Sequence, residues 1–211
     1  MKAIFFDFDG VVIDSEPLMR YAFSKSYSIH YGDTSKCPIE EYLSHSGDAF
    51  NRIMQRLGLS KDLYPDFKRI STENIDMIKI FPHITEFLIS CKQAKMKTAL
   101  ITGKDSVRTI QILNKFNIRQ YFDLLVCSDM VKQPKPNPES IITALDKLQV
   151  KANDAFMIGD SLYDMIAAKR AGVKSVGVLW GIIKNDQLFK ELNVDYIIKT
   201  PKDLYSILEK Q

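Results

Sequence analysis

Two carboxylates follow a short apolar run near the start of the chain. Residues 4 to 14 are IFFDFDGVVID, so Asp7 and Asp9 come directly after the run, one residue apart. Alternate side chains of a strand point to the same side, so both carboxylates can face one site. Burying two carboxylates costs free energy unless a cation or ligand compensates, and Gly10 allows a sharp turn after them. The pair therefore indicates a cation or ligand site, the alternative being two turn residues at a strand end.

A second acidic pair follows another apolar run, in the stretch MIGDSLYD. If a helix begins near Ser161, its first turn brings Asp164 close to Asp160, and both carboxylates can bind one hard cation. Helix capping is the alternative, because exposed amides favour Asp in a first turn. For Asp164 both interpretations stay open, whereas for Asp160 we favour a metal.

Two further strand ends carry groups suited to holding an anion. Thr102 and Gly103 follow an apolar run, and a hydroxyl next to a free amide can donate two hydrogen bonds to a phosphoryl oxygen. A Thr-Gly pair is also a common turn. Lys135 lies between Pro134 and Pro136, which stiffen the segment and can present the ammonium in one place. The alternative is a surface lysine in a proline-rich loop.

The elements that must position these residues alternate between strands and helices. Short apolar runs bounded by polar or turn residues predict buried strands. The runs are 3–6, 98–101, 124–127, 155–158, 175–179 and 196–198. Stretches with helical spacing lie between them, which predicts an α/β fold with a parallel sheet covered on both faces. In such sheets ligands bind beyond the carboxyl ends of the strands.

One segment interrupts this alternation. Between Asp14 and Pro82 we find no clear strand, yet about 65 residues are too many for a plain loop. Apolar residues at helical spacing, such as Phe50, Ile53 and Leu57, predict a small helical bundle. We therefore expect a core domain of residues 1–15 and 82–211 and a helical cap domain of residues 16–81, inserted where a lid over the strand ends belongs.

The composition narrows the class of protein. A chain of 211 residues can form one core with an accessory unit, and 29 basic residues dispersed among 26 acidic ones do not favour nucleic acid as a partner. No apolar stretch approaches the roughly 18 residues of a membrane span, and residues 1–9 lack a signal-peptide core. We expect a cytoplasmic protein without membrane partners, a monomer or weak homodimer, with its three cysteines reduced.

Together, the four sites resemble the motifs of phosphatases in the haloacid dehalogenase superfamily. DFDGV at 7–11, Thr102, Lys135 and GDSLYD at 159–164 match the four motifs in order. The likeness runs nearly end to end and is closest to the branch with a helical cap after the first motif, which includes phosphoglycolate phosphatases and beta-phosphoglucomutases. The resemblance implies a doubly wound, Rossmann-like core and a Mg²⁺-dependent phosphatase acting on a small phosphorylated metabolite.

The resemblance also implies roles for the first acidic pair. Asp7 would be the nucleophile that attacks phosphorus, while its other oxygen binds Mg²⁺. Asp9 would protonate the leaving oxygen and later deprotonate water, with its backbone carbonyl on the metal.

For the later motifs the resemblance implies binding roles. Thr102 and the Gly103 amide would hold the transferring phosphoryl group, and Lys135 would offset its charge. Asp160 would be a direct metal ligand, and Asp164 a ligand or a support for the ligands. Arg20, Arg52 and Arg56 could reach a substrate anion but are expected to be solvated. The three histidines are expected to be structural or exposed.

Several alternatives remain at this point. A dehalogenase would lack Asp9. A phosphomutase of the beta-phosphoglucomutase type would keep all four motifs, but such mutases carry a histidine just past the first motif, where this chain has Met19. A receiver-type signalling domain would place its phosphorylated aspartate deeper in the chain, and a binding protein that has lost catalysis is a further possibility. The sequence does not identify the substrate: phosphoglycolate, a sugar phosphate, a nucleotide or pyrophosphate would suit the core.

Overall fold

Six strands form one parallel sheet in the computed structural model, which describes residues 2–209. The strands of the chain are β1 (Ala3–Phe6), β2 (Ile13–Asp14), β3 (Lys79–Ile80), β4 (Lys97–Ile101), β5 (Leu124–Val126), β6 (Ala155–Gly159), β7 (Lys174–Val178) and β8 (Tyr196–Ile198). The large sheet has the order β5-β4-β1-β6-β7-β8, and its neighbouring strands pair in parallel. The predicted strands are present, with ends shifted by at most one residue.

The register of the sheet brings the sequence motifs to one edge. Phe6, the last residue of β1, pairs with Leu100 on β4 and with Ile158 on β6. Because the strands are parallel, the residues that follow them emerge side by side at the carboxyl edge. Asp7 therefore lies next to the ends of both neighbouring strands.

Helices cover both faces of this sheet. They are α5 (Ile84–Gln93), α6 (Ser106–Lys115), α7 (Glu139–Leu148), α8 (Leu162–Ala171), α9 (Gln187–Glu191) and α10 (Tyr205–Glu209). On one face Ile4 and Phe6 of β1 pack in a cluster with residues of α5, α6 and α10, and on the other Ala3 and Phe5 pack in a cluster with residues of α7 and α8. Burial on both faces explains why the strands are apolar throughout rather than alternating. The predicted α/β fold class is confirmed.

Four more helices lie between β2 and β3: α1 (Glu16–Tyr31), α2 (Ile39–Ser44), α3 (Phe50–Arg56) and α4 (Leu63–Glu73). We call them the helical segment. They share a separate apolar cluster that includes Phe23, Tyr42, Met54 and Phe67, with the rings of Phe23 and Tyr42 stacked at 4.0 Å between centroids. The segment thus has a core of its own, as its helical spacing predicted.

The chain enters and leaves the helical segment through a small antiparallel ladder. Ile13 and Asp14 of β2 pair with Ile80 and Lys79 of β3. The expectation of no strand between Asp14 and Pro82 is therefore wrong at Lys79–Ile80. Two residues are too few to show an alternating pattern, and the pairing depends on a partner about 65 residues away.

No helix within residues 2–209 is long and apolar enough to cross a membrane. The three cysteines are free thiols, as expected, and burial raises the pKa of Cys91 to about 12 and that of Cys127 to about 11.

Candidate active site

Three carboxylates from two distant parts of the chain meet at the carboxyl edge of the sheet. Asp7 follows β1, Asp160 follows β6 and Asp164 lies in the first turn of α8. Each is buried and offers an oxygen, and these oxygens all lie within 4.8 Å of one another. Such a cluster of hard oxygen ligands matches what Mg²⁺ binds in proteins.

Close backbone packing fixes Asp160. Its Oδ2 accepts a hydrogen bond of 2.8 Å from the backbone N–H of Ile182. Gly10 adopts φ +77°, and a Cβ there would lie 1.9 Å from the same oxygen. A side chain at position 10 would therefore displace the carboxylate, which gives the glycine after the first acidic pair a steric reason in addition to its turn.

One buried cation, Lys135, balances part of the negative charge of the three carboxylates. The Nζ of Lys135 lies 2.9 Å from Asp7 Oδ1 and 2.5 Å from Asp164 Oδ1, and it donates to the Ile101 carbonyl at 3.3 Å. Lys135 is only 3% exposed. Burial lowers the pKa of its ammonium, but Asp164 and Asp7 outweigh burial and raise it. Lys135 is therefore a site residue rather than a surface lysine.

Asp164 makes the capping contact and also lies in the acidic cluster, while its role as a metal ligand stays a prediction. Its Oδ2 accepts hydrogen bonds from the Ser161 hydroxyl at 2.6 Å and the Ser161 backbone N–H at 3.2 Å. The Asp164 backbone N–H donates to Ser161 Oγ at 3.3 Å, which completes a capping box at the start of α8. Its Oδ1 faces Lys135. One oxygen thus orders the helix while the other contacts Lys135.

The cluster holds more negative charge than Lys135 can offset. Burial and the charge of Asp164 raise the pKa of Asp7 to about 7, against the smaller opposing effect of Lys135. Burial and the charges of Asp7 and Asp164 also raise the pKa of Asp160. A divalent cation among these oxygens would relieve the repulsion and keep them ionised, so the donor set fits Mg²⁺ by charge as well as by ligand type.

Asp9 lies outside this cluster. Its Oδ1 accepts a hydrogen bond of 2.5 Å from the Ser15 hydroxyl and lies 3.1 Å from Lys104 Nζ. Burial raises the pKa of Asp9, but Lys104 and Ser15 outweigh burial and lower it overall. Its side chain is thus ionised and held apart from the other carboxylates, while the predicted metal contact of its carbonyl stays a prediction.

Thr102 and Gly103, the predicted phosphoryl-binding residues, follow β4 at the same edge of the sheet. Thr102 is buried at the end of β4, and its Oγ1 accepts a hydrogen bond from the Lys104 backbone N–H at 3.1 Å. No group within residues 2–209 accepts a hydrogen bond from this hydroxyl, so its proton can be donated to a ligand. Gly103 lines the same cavity as Asp7 and Asp9.

A cavity of about 280 Å³ lies between the strand ends and the helical segment. The lining includes Tyr42 and other aromatic side chains of the helical segment, together with Asp7, Asp9, Lys104 and Arg108. Lys104 and Arg108 were not predicted from the sequence. Their signal was their position: they lie two and six residues after Thr102, one just before α6 and the other in its first turn.

The arginines considered from the sequence make other contacts. Arg20 pairs with Glu16 and Glu40 on the surface, and Arg52 lies 3.7 Å from Asp48. Arg56 lies 3.1 Å from Asp48 and donates a hydrogen bond to the Tyr163 hydroxyl, which joins α3 to the start of α8.

The histidines also lie outside the acidic cluster. His30 contacts Asp66 at 3.2 Å, His45 lies 3.4 Å from both Arg56 and Tyr163, and His83 precedes α5.

Several named proteins align with this chain almost end to end. A putative pyrophosphatase PpaX from Caldanaerobacter subterraneus subsp. tengcongensis is 31% identical, over 99% of this chain and 95% of the relative. A phosphoglycolate phosphatase from Vibrio parahaemolyticus is 28% identical, over 99% of this chain and 96% of the relative. A crystal structure of a putative beta-phosphoglucomutase from Thermotoga maritima superimposes with a TM-score of 0.75 at 26% identity, covering 100% of this chain and 99% of that one.

The family described as haloacid dehalogenase-like hydrolase matches residues 4–178, which include all four motifs and the helical segment. Both the sequence resemblance and the geometry of the strand ends agree with this match. The chain belongs to the haloacid dehalogenase-like hydrolase family.

Proposed function

We propose that the protein is a Mg²⁺-dependent phosphatase that hydrolyses a small phosphorylated metabolite through a phospho-aspartyl intermediate on Asp7. The observation that carries this proposal is the convergence of Asp7, Asp160 and Asp164 on one point with Lys135 beside them. The names of the two relatives agree with it, since both act on phosphate groups. Phosphoglycolate and pyrophosphate are therefore the first substrates to test.

In this proposal Asp7 would attack phosphorus. Mg²⁺, when bound, would supply positive charge to the transferring phosphoryl oxygens and to the carboxylates around them. Lys135 holds one oxygen of Asp7 at 2.9 Å, which orients the carboxylate and favours its ionised form. Thr102 and the Gly103 amide would donate hydrogen bonds to the phosphoryl group, where charge is stabilised during transfer.

Asp9 would move the protons. In the first step it would donate a proton to the leaving oxygen, and in the second it would take one from the water that cleaves the acyl phosphate. Its lowered pKa favours the second step. For the first step, the charge of a bound phosphate would raise the pKa of the neighbouring carboxyl and promote its protonation.

We also propose that residues 16–81 act as a cap domain over a core of residues 1–15 and 82–211. The separate apolar cluster of the helical segment, the short β2–β3 ladder at its base and the cavity beneath it support this division. Opening and closing at the ladder would admit substrate and exclude bulk water during attack.

A phosphomutase is the second candidate, because one structural relative is described as a putative beta-phosphoglucomutase. Met19 lies in the wall of the cavity, where the resemblance places the histidine of such mutases. A thioether cannot transfer protons, so this position favours hydrolysis.

The direct test is phosphate release from phosphoglycolate, pyrophosphate, glucose phosphates and p-nitrophenyl phosphate. We expect release with Mg²⁺, none in EDTA, and none from the Asp7→Asn variant, whose fold is checked by circular dichroism. Isomerisation of a glucose phosphate without net phosphate release would favour the mutase. Turnover of every substrate at full rate in EDTA, or by Asp7→Asn, would refute the proposal.

A further inference from the structure

Arg108 presents unused hydrogen-bond donors to the cavity. Its Nε donates to Asp105 Oδ2 at 2.6 Å, and no group within residues 2–209 accepts a hydrogen bond from its Nη1 or Nη2. The side chain is only 10% exposed, yet Arg108 lines the cavity together with Asp9 and Tyr42. A guanidinium with a free pair of nitrogens in a sheltered cavity is suited to binding a carboxylate or phosphate.

Asp105 does not fully neutralise the positive charge of Arg108. Asp105 is shared between Arg108 and Lys68, whose Nζ lies 3.8 Å from its Oδ1. Lys104 faces Asp9 alone at 3.1 Å. Around Arg108, three cations therefore meet two carboxylates, which is a local excess of positive charge.

Asp7 lines the cavity too, but it belongs to the acidic cluster, where Lys135 lies 2.9 Å away and a bound metal ion would offset the remaining charge. Asp48 also lines the cavity, but it has its own cations, Arg52 at 3.7 Å and Arg56 at 3.1 Å. Tyr42 is buried, which raises the pKa of its hydroxyl, and the positive charge of Arg108 partly opposes this effect. The positive charge of Arg108 thus reaches a group that faces the cavity.

We propose that Arg108, with Lys104 beside it, forms a second anion site that binds a negatively charged group on the leaving part of the substrate. Lys104 lies against Asp9, the group assigned to the leaving oxygen, so the second anion would be only a few bonds from phosphorus. The proposal rests on the phosphatase function and adds the substrate class: a small phosphate ester or anhydride with a carboxylate or a second phosphate.

The chemistry of the relatives' substrates agrees with this class. Phosphoglycolate has a carboxylate on its leaving group, and pyrophosphate has a second phosphate. Both would bring to Arg108 the planar or tetrahedral oxyanion that a guanidinium binds with two parallel hydrogen bonds.

The test compares substrates with and without the second charge. For the wild type, Arg108→Gln and the surface control Arg69→Gln, kcat/KM is measured with phosphoglycolate, pyrophosphate and p-nitrophenyl phosphate. We expect Arg108→Gln to lower the ratio of kcat/KM for phosphoglycolate or pyrophosphate to that for p-nitrophenyl phosphate by about 10- to 100-fold. Arg69 pairs with Asp66 and Glu73 on the surface, so its variant should keep the wild-type ratio. The substrate whose ratio falls identifies the anion as a carboxylate or a phosphate.

A binding measurement on the wild type needs neither turnover nor a folded variant. Calorimetry with Mg²⁺ compares 3-phosphonopropionate and imidodiphosphate with ethylphosphonate, which lacks the second anion. We expect at least one of the first two to bind about 10-fold or more tightly than ethylphosphonate. Equal affinity of all three, or unchanged substrate ratios in folded Arg108→Gln, would overturn the second anion site. Absence of turnover with every substrate would instead refute the phosphatase, and the calorimetry would still test the anion site.

Discussion

The crowding of buried carboxylates predicts that the metal-free protein loses stability as the pH rises towards neutrality. Asp7 has a pKa of about 7 in the folded protein against 3.8 for an unperturbed Asp, because burial and Asp164 disfavour its charge. Between these values the folded state keeps a proton that the unfolded chain has released. Since the folded state then binds more protons, the free energy of unfolding falls as the pH rises.

The size of this loss of stability follows from the shift in the pKa of Asp7. Each pH unit inside this window is worth about 1.4 kcal/mol for one group, so Asp7 alone should lower the free energy of unfolding by about 2 to 3 kcal/mol from pH 5 to pH 7. Asp160 adds a change of the same sign, since its pKa is also raised. Carboxylates with lowered pKa values, such as Asp105 and Asp123, release their protons below this range and do not contribute.

The assay is urea unfolding at pH 5, 6 and 7, in EDTA and in saturating Mg²⁺. We expect stability to fall with pH in EDTA, and the stabilisation by Mg²⁺ to grow with pH because the ion competes with protons for the same oxygens. At a concentration 100 times its dissociation constant, Mg²⁺ should add about 2.7 kcal/mol. In Asp7→Asn the slope in EDTA should shrink. A flat or rising stability from pH 5 to pH 7 in EDTA would refute the account of the cluster.

Three further substitutions test separate parts of the site. Gly181→Ala should weaken Mg²⁺ binding about tenfold or more, because the new Cβ would lie 2.3 Å from Asp160 Oδ2 and displace a carboxylate of the cluster. The affinity is measured by Mg²⁺ titration of activity, and an unchanged Mg²⁺ dependence would contradict this expectation. Lys135→Met should cost about 3 to 5 kcal/mol of unfolding free energy at pH 7 in EDTA, since it leaves buried carboxylates without their cation, and a loss below about 1 kcal/mol in urea unfolding would speak against that charge balance. Arg56→Gln should raise KM by a few-fold with a smaller effect on kcat, because the partly exposed contact of Arg56 with Tyr163 joins the helical segment to α8. An equal or larger effect on kcat in steady-state kinetics would argue against a contact that helps the helical segment to close.

The main features of the fold could be predicted because the strands carry a strong local signal. Strands such as Ala3–Phe6 are short, apolar throughout and bounded by polar residues, which is the pattern of a sheet buried on both faces. The ladder between Ile13–Asp14 and Lys79–Ile80 could not be predicted, since two residues carry no periodicity and their pairing depends on the whole helical segment between them.

The site was predictable to the extent that its residues follow strands. Parallel strands bring their carboxyl ends to one edge, so Asp7 and Asp160 could be expected together because each follows a strand. Lys135 lies nine residues after β5, and only the family resemblance indicated that it belongs to the site. The sequence could not decide between the two interpretations of Asp164, because a first-turn carboxylate has two oxygens and the structure uses one for the capping box and one for Lys135.

Lys104 and Arg108 were missed for a related reason. Charged residues at a helix start are usually solvated, so their types alone do not indicate a site. Their side chains have low exposure because they line a cavity that residues of the helical segment also line. Only the tertiary structure shows that these two cations face Asp9.

The most direct measurement of the central claim is chemical trapping of the phosphorylated enzyme. The protein is mixed with Mg²⁺ and a substrate that it turns over, then quenched with borohydride, which reduces an aspartyl phosphate to homoserine. Mass spectrometry of the tryptic peptide spanning residues 3–20 then locates the change among its three aspartates. We predict homoserine at position 7 and none in the absence of substrate. Homoserine at another position, or phosphate release without any trapped residue, would contradict the assignment of Asp7 as the nucleophile.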